Sequence, residues 1–324
     1  MAKAFRVDAF GGPESMIWAD VEVGAPGAGE IRVRHEAVGL NFIDVYQRTG
    51  LYPQPLPASL GLEAAGVVEE VGEDVGHLAP GDRIAYAATP AGAYATERVM
   101  PAAQVVKLPE AISFEQGAAM MLQGLTVQYL FRSTAHVTAG DTILFHAAAG
   151  GVGLIACQWA RAMGVRLIGT AGGPEKCALA KEHGAAEVID YSSEDFVARV
   201  KELTDGKGVK TVMDSVGAAT WEGSLDCLQP LGLMVSFGNA SGPVPPISLG
   251  DLAAKGSLYV TRPTLFTYIA RPGAAQERAA DLFEMVTSGQ VSVPINQTYP
   301  LADAASAHRD LEARKTTGTT VLIP

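Results

Sequence analysis

The spacing of hydrophobic and polar positions changes once along this chain. Before about Ser113 the apolar positions come in short alternating or β-branched runs, at residues 5–9, 30–38 and 66–71, and Gly81-Asp82 turns into a further run ending near Tyr86. This rhythm predicts short strands joined by turns, and so a small barrel or rolled sheet. Pro53, Pro55 and Pro57 mark an irregular loop that no helix crosses. After Ser113 the β-branched residues thin out, and residues 114–131, rich in Ala, Met and Leu, read as a helix.

Alternation then sets in. Strands are expected at residues 142–146, 166–170, 187–189, 209–214 and 233–237, with helices at 151–163, 174–183, 193–203 and 220–228. This βαβα order predicts a doubly wound parallel sheet covered on both faces. Residues 256–261 could add an edge strand. The tail carries two helical stretches, at 276–288 and 302–313, and a last strand at 319–323 expected to return to the first region's sheet. The fold class is therefore α/β, a β-rich domain together with a parallel-sheet domain.

Composition narrows the function. The chain has 324 residues, 48% hydrophobic and 18% charged, enough to bury a core in about two domains and too apolar for wholesale disorder. Lys and Arg number 24 against 35 Asp and Glu, a net charge of −11 that makes the chain a poor candidate for general nucleic-acid binding, which needs a basic face, and leaves room for a local basic pocket. Three widely spaced cysteines, Cys157, Cys177 and Cys227, build neither a disulfide framework nor a zinc site and suit a cytoplasmic location. Residues 1–6 carry charge and no apolar run, so no signal peptide is expected. Two long uncharged stretches, at 142–160 and 227–250, are broken by the glycines at 150, 151 and 153 and by Pro230, Pro243, Pro245 and Pro246, so no membrane span is expected.

Chemistry concentrates where the first strand of the alternating region meets its helix. The run from Phe145 to Gly153 places small residues, Ala148 and Gly150, where a backbone must turn tightly and approach a pyrophosphate, with Gly151 and Val152 opening the helix and Gly153 packing it on the strand. A helix N-terminus in that place offers N–H groups and a positive dipole to phosphate. Ala148 stands where the usual pattern has its first glycine, so the strict motif is not met, but the strand-turn-helix context supports dinucleotide binding. The second strand ends in Thr170-Ala171-Gly172-Gly173 with no acid at its tip, while Lys176 follows shortly. Small residues and a lysine suit a 2′-phosphate, so NADPH is expected rather than NADH. Glu175 is expected to face solvent, and Tyr191, ending the third strand, to pack beside the adenosine.

Further stretches carry a family resemblance: Gly39-Leu-Asn41-Phe-Ile-Asp44-Val-Tyr46, Arg48-Thr-Gly50-Leu-Tyr52-Pro53, Gly61-Leu-Glu63-Ala-Ala-Gly66, Asp214-Ser215-Val216-Gly217 and Phe237-Gly238-Asn239-Ala-Ser241-Gly242. With the glycine turn, they make the whole chain resemble the zinc-independent quinone oxidoreductases of the zeta-crystallin type, within the medium-chain dehydrogenase/reductase superfamily. The resemblance implies a GroES-like catalytic domain from residues 1–125 and 263–324, an inserted Rossmann domain at 126–262, NADPH as cofactor and a homodimer. It implies that Asn41, Phe42, Asp44, Tyr46, Tyr52 and Thr126 line a nicotinamide site, with Tyr129 one turn further. Phe237, Asn239 and Ser241 would contact the cofactor after a strand end, as would Ser215, and Arg314 would reach it from the C-terminal segment. Asn41, Tyr46 and Tyr52 are the candidates for contact with the reacting groups.

Zinc enzymes of that superfamily place a ligand cysteine where Asn41 stands and a histidine where Leu62 stands. Asn and Leu cannot build such a site, so no metal is expected. Glu63 is read as making a structural hydrogen bond, and His146 as structural. Asp44 is the most interesting carboxylate, though nothing in the sequence pairs it with a histidine. The expected activity is NADPH-dependent reduction of quinones by hydride transfer. Two alternatives stay open: reduction of enones or 2-alkenals, and a non-catalytic NADPH-binding protein.

Overall fold

A computed structural model describes residues 1–324 and divides them into two compact units. The first comprises Met1–Leu125, Tyr268–Thr287 and Val293–Pro324; the second comprises Thr126–Thr267 and Ser288–Ser292.

The first unit is built on two sheets. Ala2–Val7 pairs antiparallel with Met16–Val21 on one side and with the short strand Ala58–Ser59 on the other. The larger sheet runs in the order Ile295–Pro300, Thr319–Ile323, Glu30–Leu40, Glu63–Val71, Arg83–Ala87, Val105–Lys107, with Glu97–Pro101 also paired to Glu30–Leu40. The last strand of the chain thus returns to the first region's sheet, Thr320 lying opposite Leu40. The sheets close over one apolar cluster that includes Phe5, Val33, Leu60, Tyr94, Leu301 and Leu322. Alternation explains it: Ile31 and Val33 are fully buried, whereas Arg32 and Arg34 between and beside them reach glutamates.

One element of this unit departs from the expected β-rich pattern, the helix Phe42–Thr49. It is only eight residues long and follows directly on an eleven-residue strand, so hydrophobic periodicity alone does not reveal it. Its start and stop are nonetheless written in the sequence. Asn41 precedes it, Asp44 at its third position accepts from the Asn41 N–H at 2.9 Å, and Gly50 ends it in left-handed backbone at φ 82°.

The second unit is a six-stranded parallel sheet in the order Glu187–Asp190, Arg166–Ala171, Thr142–Phe145, Val209–Asp214, Leu228–Ser236, Tyr259–Thr261. The first strand in sequence lies in the middle and the order reverses beside it, as in Rossmann-type sheets. Near-continuous apolar strands fit a sheet covered on both faces: Leu144, Ile168, Ile189, Val212 and Met234 share one core with Trp221. The helix after the third strand begins at Phe196, later than the pattern suggests, because the Asp195 carboxylate caps it by accepting from the N–H groups of Val197 and Ala198. The helix Phe114–Tyr129 ends in a π-helical turn, Leu130–Thr134. No helix is long and apolar enough to cross a membrane.

Candidate active site and nucleotide cradle

In the second unit the strand Thr142–Phe145 runs into a tight turn. Ala147 takes left-handed backbone at φ 56°, and Gly150 caps the helix Gly151–Ala162. A β-carbon on Gly153 would stand 2.4 Å from the Ala147 carbonyl oxygen and 2.6 Å from the Ala148 backbone. The first helical turn therefore lies directly on the strand-end turn, and only glycine permits this. The Ala148 N–H donates to the Thr170 carbonyl at 2.9 Å, which ties the turn to the neighbouring strand. The N–H groups of Gly151, Val152 and Gly153 open the helix, where a helix has no acceptor of its own for them.

The second strand ends at Ala171, and Gly173 caps the next helix, Pro174–Glu182. Lys176 lies half-buried in its first turn, and Glu175 is exposed. Tyr191 is exposed, with its hydroxyl 2.7 Å from where a β-carbon on Gly172 would stand, so Gly172 and Tyr191 meet, with Gly173 next along the chain and Lys176 in the first turn of the following helix. Asp190, which the sequence reading did not single out, organises this region. Its carboxylate accepts from the N–H groups of Gly173 at 2.8 Å and Ser192 at 3.0 Å. The Ser192 and Gly173 donors hold it below the ordinary carboxylate range. The sequence signal was present as an Asp-X-Ser turn, but at the third strand's end rather than the second's.

At the carboxyl ends of the next two strands the loops interlock. The Ala240 N–H donates to the Ser215 carbonyl at 3.1 Å, and the Ser241 hydroxyl donates to the Val216 carbonyl at 2.8 Å. Phe237 packs on Phe145 with ring centroids 5.7 Å apart. Ser215, Phe237, Asn239 and Ser241 thus share one rim, the edge where open α/β sheets bind ligands. Beneath it, buried Asp214 accepts from the N–H groups of Val216 and Gly217 and from the hydroxyls of Thr220 and Ser224. Ser224 meets His146 Nε2 at 3.0 Å, and Thr170 meets its Nδ1 at 2.9 Å. Burial lowers the His146 pKa, so the ring stays neutral and braces the strand ends.

In the first unit the helix Phe42–Thr49 carries an aromatic row. Tyr46 lies 5.9 Å from Phe42 and 5.1 Å from Tyr52, the latter edge to face, and the Tyr52 N–H donates to the Tyr46 carbonyl at 3.0 Å. Asn41, at the head of this helix, is almost wholly buried. Its Nδ2 donates to Glu63 at 2.6 Å, and its Oδ1 accepts from Gln123 Nε2 at 3.2 Å. Glu63 also accepts from the Leu122 N–H at 2.8 Å. Burial pushes Glu63 up to about 8, against the pull of these donors. The hydrogen bonds expected of Glu63 are therefore present, and Gln123 is the partner that the sequence reading missed.

Asp44 corrects an expectation. It does meet a histidine, through a tyrosine: the Tyr94 hydroxyl donates to Asp44 at 3.1 Å and lies 3.0 Å from His308 Nε2. The three residues are separated by 50 and 214 positions in sequence, which is why no spacing betrays them. Asp44 is fully buried, and burial raises it to about 7. Burial lowers His308 to about 3. Fully buried Arg48, on the same helix, pairs with Glu312 at 2.8 Å. Thr126 and Tyr129 are buried on the helix Phe114–Tyr129, and exposed Arg314 follows the helix Ala304–Glu312 in left-handed backbone at φ 58°.

Two family profiles match the chain: an alcohol dehydrogenase GroES-like domain at residues 27–110 and a zinc-binding dehydrogenase domain at residues 151–279. A curated relative from Pseudomonas aeruginosa, named quinone oxidoreductase, is 57% identical over the full length of both chains. A crystal structure of the Escherichia coli quinone oxidoreductase complexed with NADPH superposes with a TM-score of 0.98 at 51% identity, covering 99% of this chain and 100% of that one. A 2-haloacrylate reductase from a Burkholderia species is 42% identical, covering 100% of this chain and 99% of its own. A GroES-like unit and a Rossmann-type unit in this order define a medium-chain dehydrogenase/reductase. Within that superfamily the chain belongs to the quinone oxidoreductases.

The two groups that such a family implies fare differently against these residues. For zinc the donor set does not fit. Asn41 is a neutral amide rather than a thiolate, Leu62 is a buried hydrocarbon, and no group of three or more His, Cys, Asp or Glu side chains is arranged to hold a metal ion. For a dinucleotide the residues do fit: Gly153 lets the helix Gly151–Ala162 start directly on the strand-end turn, which leaves that helix's first N–H groups for a pyrophosphate.

Proposed function

We propose that the protein is an NADPH-dependent quinone reductase that works without a metal. What carries the reading is the full-length match to quinone oxidoreductases, one of them solved with NADPH, together with a glycine cradle formed in this chain's own backbone. Bound in the cradle, the cofactor supplies hydride chemistry. The chain's residues supply binding, orientation and a defined surface. Gly150, Gly151, Val152 and Gly153 receive the pyrophosphate, and Gly172, Gly173, Lys176 and Tyr191 receive the 2′-phosphate end. Ser215, Phe237, Asn239 and Ser241 form the rim, and Arg314 adds a cation for phosphate. Phe42, Asp44, Thr126 and Tyr129 shape the nicotinamide surroundings, and Asn41, Tyr46 and Tyr52 contact the reacting groups. Reduced quinone oxygens take protons from water, which removes the need for a dedicated protein acid.

A second reading is favoured by the 42% identical 2-haloacrylate reductase: reduction of an activated alkene. That reaction protonates carbon, and Tyr52 or Tyr46 would be the donor. Turnover of a quinone series against a 2-alkenal and haloacrylate series, with NADPH in both, decides between the two. Faster quinone turnover is expected, and activity on alkenes alone would overturn the main reading.

The protein is further proposed to act as a cytoplasmic homodimer with no general nucleic-acid affinity. Tyr259–Thr261 pairs on one side only, and Tyr259 and Leu231 beside this edge are 61% and 65% exposed. An apolar strand edge of this kind is suited to cover by a two-fold copy. A scattering mass equal to the 33.7 kDa chain at micromolar concentration would count against it.

A further inference from the structure

Four buried side chains in the first unit form a hydrogen-bonded row with a direction. The Thr319 hydroxyl donates to Gln123 Oε1 at 2.9 Å, Gln123 Nε2 donates to Asn41 Oδ1 at 3.2 Å, and Asn41 Nδ2 donates to Glu63 Oε2 at 2.6 Å. The row ends on a carboxylate whose other oxygen accepts from the Leu122 N–H at 2.8 Å. Every member is at most 6% exposed. A β-carbon on Gly39 would stand 2.4 Å from Glu63 Oε2 and 2.3 Å from the Ala118 carbonyl oxygen, so the backbone itself makes room for this carboxylate.

Each primary amide in the row has one donating and one accepting end. Turning one amide over places donor against donor unless its neighbour turns as well. The hydroxyl at the far end can donate or accept and cannot set the sense. Both Glu63 oxygens are acceptors here, one from Asn41 Nδ2 and the other from the fixed Leu122 N–H, so the sense is set at the Glu63 end.

We propose that Glu63 and Gln123 are positioning residues that fix which way the Asn41 carboxamide faces, and so which of its two polar atoms is offered to the ligand. This rests on the reading of Asn41 as a contact of the reacting groups. The Asn41 amide is held by a carboxylate on one side and a second amide on the other.

The orientation can be reversed without emptying the site. In Glu63→Gln the new amide must keep its oxygen toward the Leu122 N–H and turn its NH2 toward Asn41. Asn41 and Gln123 then turn over together, and Thr319 accepts. The exchange Glu63→Gln with Gln123→Glu enforces the same reversal with unchanged composition and charge. We would measure quinone kcat and KM, NADPH dissociation constant and melting temperature for both variants and for Asn41→Ala. Assays at about pH 9 lie above the value to which burial raises Glu63.

The expected result is a loss of kcat of about tenfold or more in both reversal variants, with NADPH affinity within about twofold of wild type and a retained cooperative melt. A side-chain role that is only structural would instead lower the melting temperature and leave kcat of the folded fraction unchanged. If Glu63→Gln does not fold, the exchanged pair decides alone, since it has every hydrogen bond paired. Wild-type kcat in the folded reversal variants, with Asn41→Ala impaired, overturns the orienting role. Wild-type turnover in Asn41→Ala overturns the placement of Asn41 on which the proposal stands.

Discussion

The two units build their functional surfaces by opposite means. The second uses mostly backbone: a glycine turn, helix starts and strand-end loops. Its cradle needs little more than the nine residues from Phe145 to Gly153. The first uses side chains buried in networks, Asn41 with Glu63 and Gln123, and Asp44 with Tyr94 and His308, drawn from positions 22 to 214 apart. A backbone site tolerates change in most side chains and fails at a few glycines. A network site has many members, and each of them is specific. The difference follows from the ligand parts expected at each: phosphate is met by N–H groups and dipoles, whereas a carbonyl or nicotinamide needs placed side-chain atoms.

The largest test separates the units by one methyl group each. Gly153→Ala drives a β-carbon to 2.4 Å from a carbonyl oxygen in the cradle, and Gly39→Ala drives one to 2.4 Å from the Glu63 carboxylate. Each clash is against buried structure and should cost about 1–3 kcal/mol of stability. Their functional effects should divide. Gly153→Ala is expected to weaken NADPH binding by about 100-fold. Gly39→Ala should leave the NADPH dissociation constant near wild type and lower quinone kcat by a similar factor. Equal losses of both functions in both variants would dissolve the contrast.

A smaller effect probes the 2′-phosphate end. Lys176→Ala removes a charged donor expected at that group, and roughly 10- to 100-fold weaker NADPH binding with little change for NADH is predicted. Asp190→Asn, which keeps the acceptor for the Gly173 N–H, should preserve the preference. Titration of both cofactors against both variants checks this. Equal weakening of NADPH and NADH by Lys176→Ala would make that lysine an ordinary surface residue.

How much of this was legible in sequence follows the same division. The second unit's alternation of strands and helices, its turn and the return of the last strand at residues 319–323 could all be read, because periodicity and glycine placement are local signals. That the donors of a zinc site are missing could be read from Asn41 and Leu62 as residue types. The helix Phe42–Thr49 was missed although its cap residues are visible, since eight residues give too few turns for a periodic signal. Gln123, Tyr94 and His308 were invisible as site residues. Each is an ordinary member of its own segment, and only the fold brings it to Asn41 or Asp44.

The buried groups also give the units different responses to pH. In the first unit Asp44 rises from 3.8 to about 7 and Glu63 from 4.5 to about 8, so the folded form holds protons that the unfolded chain has released. Their contribution is complete below the unfolded values and is lost as pH rises through about 7 and 8. His35 and His308 fall from 6.5 to about 4 and about 3, and their contribution is lost as pH falls. Between about pH 4.5 and 6.5 the two pairs oppose one another; from 6.5 to 8 only the acids titrate. Stability of the first unit should therefore decline by up to about 2 kcal/mol over that upper window and level off above it. His146 in the second unit, lowered by burial, gives loss only on acidification. Urea unfolding followed by amide exchange, unit by unit, at pH 6.5 and 8 checks this. Glu63→Gln should remove most of the upper slope, and a slope that survives it would point to other groups.

The smallest expected effect lies on the aromatic row. Tyr46→Phe and Tyr52→Phe keep the rings, and the edge-to-face contact at 5.1 Å between them belongs to ring rather than hydroxyl. Folding should therefore be nearly unchanged, with a melting temperature within about 2 °C of wild type. If either hydroxyl contacts nicotinamide or acceptor, its removal deletes one hydrogen bond of about 0.5–1.5 kcal/mol, a roughly 2- to 12-fold effect on kcat/KM. The substrate panel makes the result more telling. For a quinone, whose oxygens take protons from water, the loss should stay within that range. For an activated alkene a missing proton donor should cost about 100-fold or more, within the usual range for general acid catalysis. A uniform small loss across both panels would make the tyrosine a contact and nothing more. A loss confined to alkenes would identify it as the acid and raise alkene reduction from second reading to first. Unchanged kinetics in both variants, with the melt also unchanged, would take both hydroxyls out of the site and leave the buried Asn41 network as the first unit's functional centre.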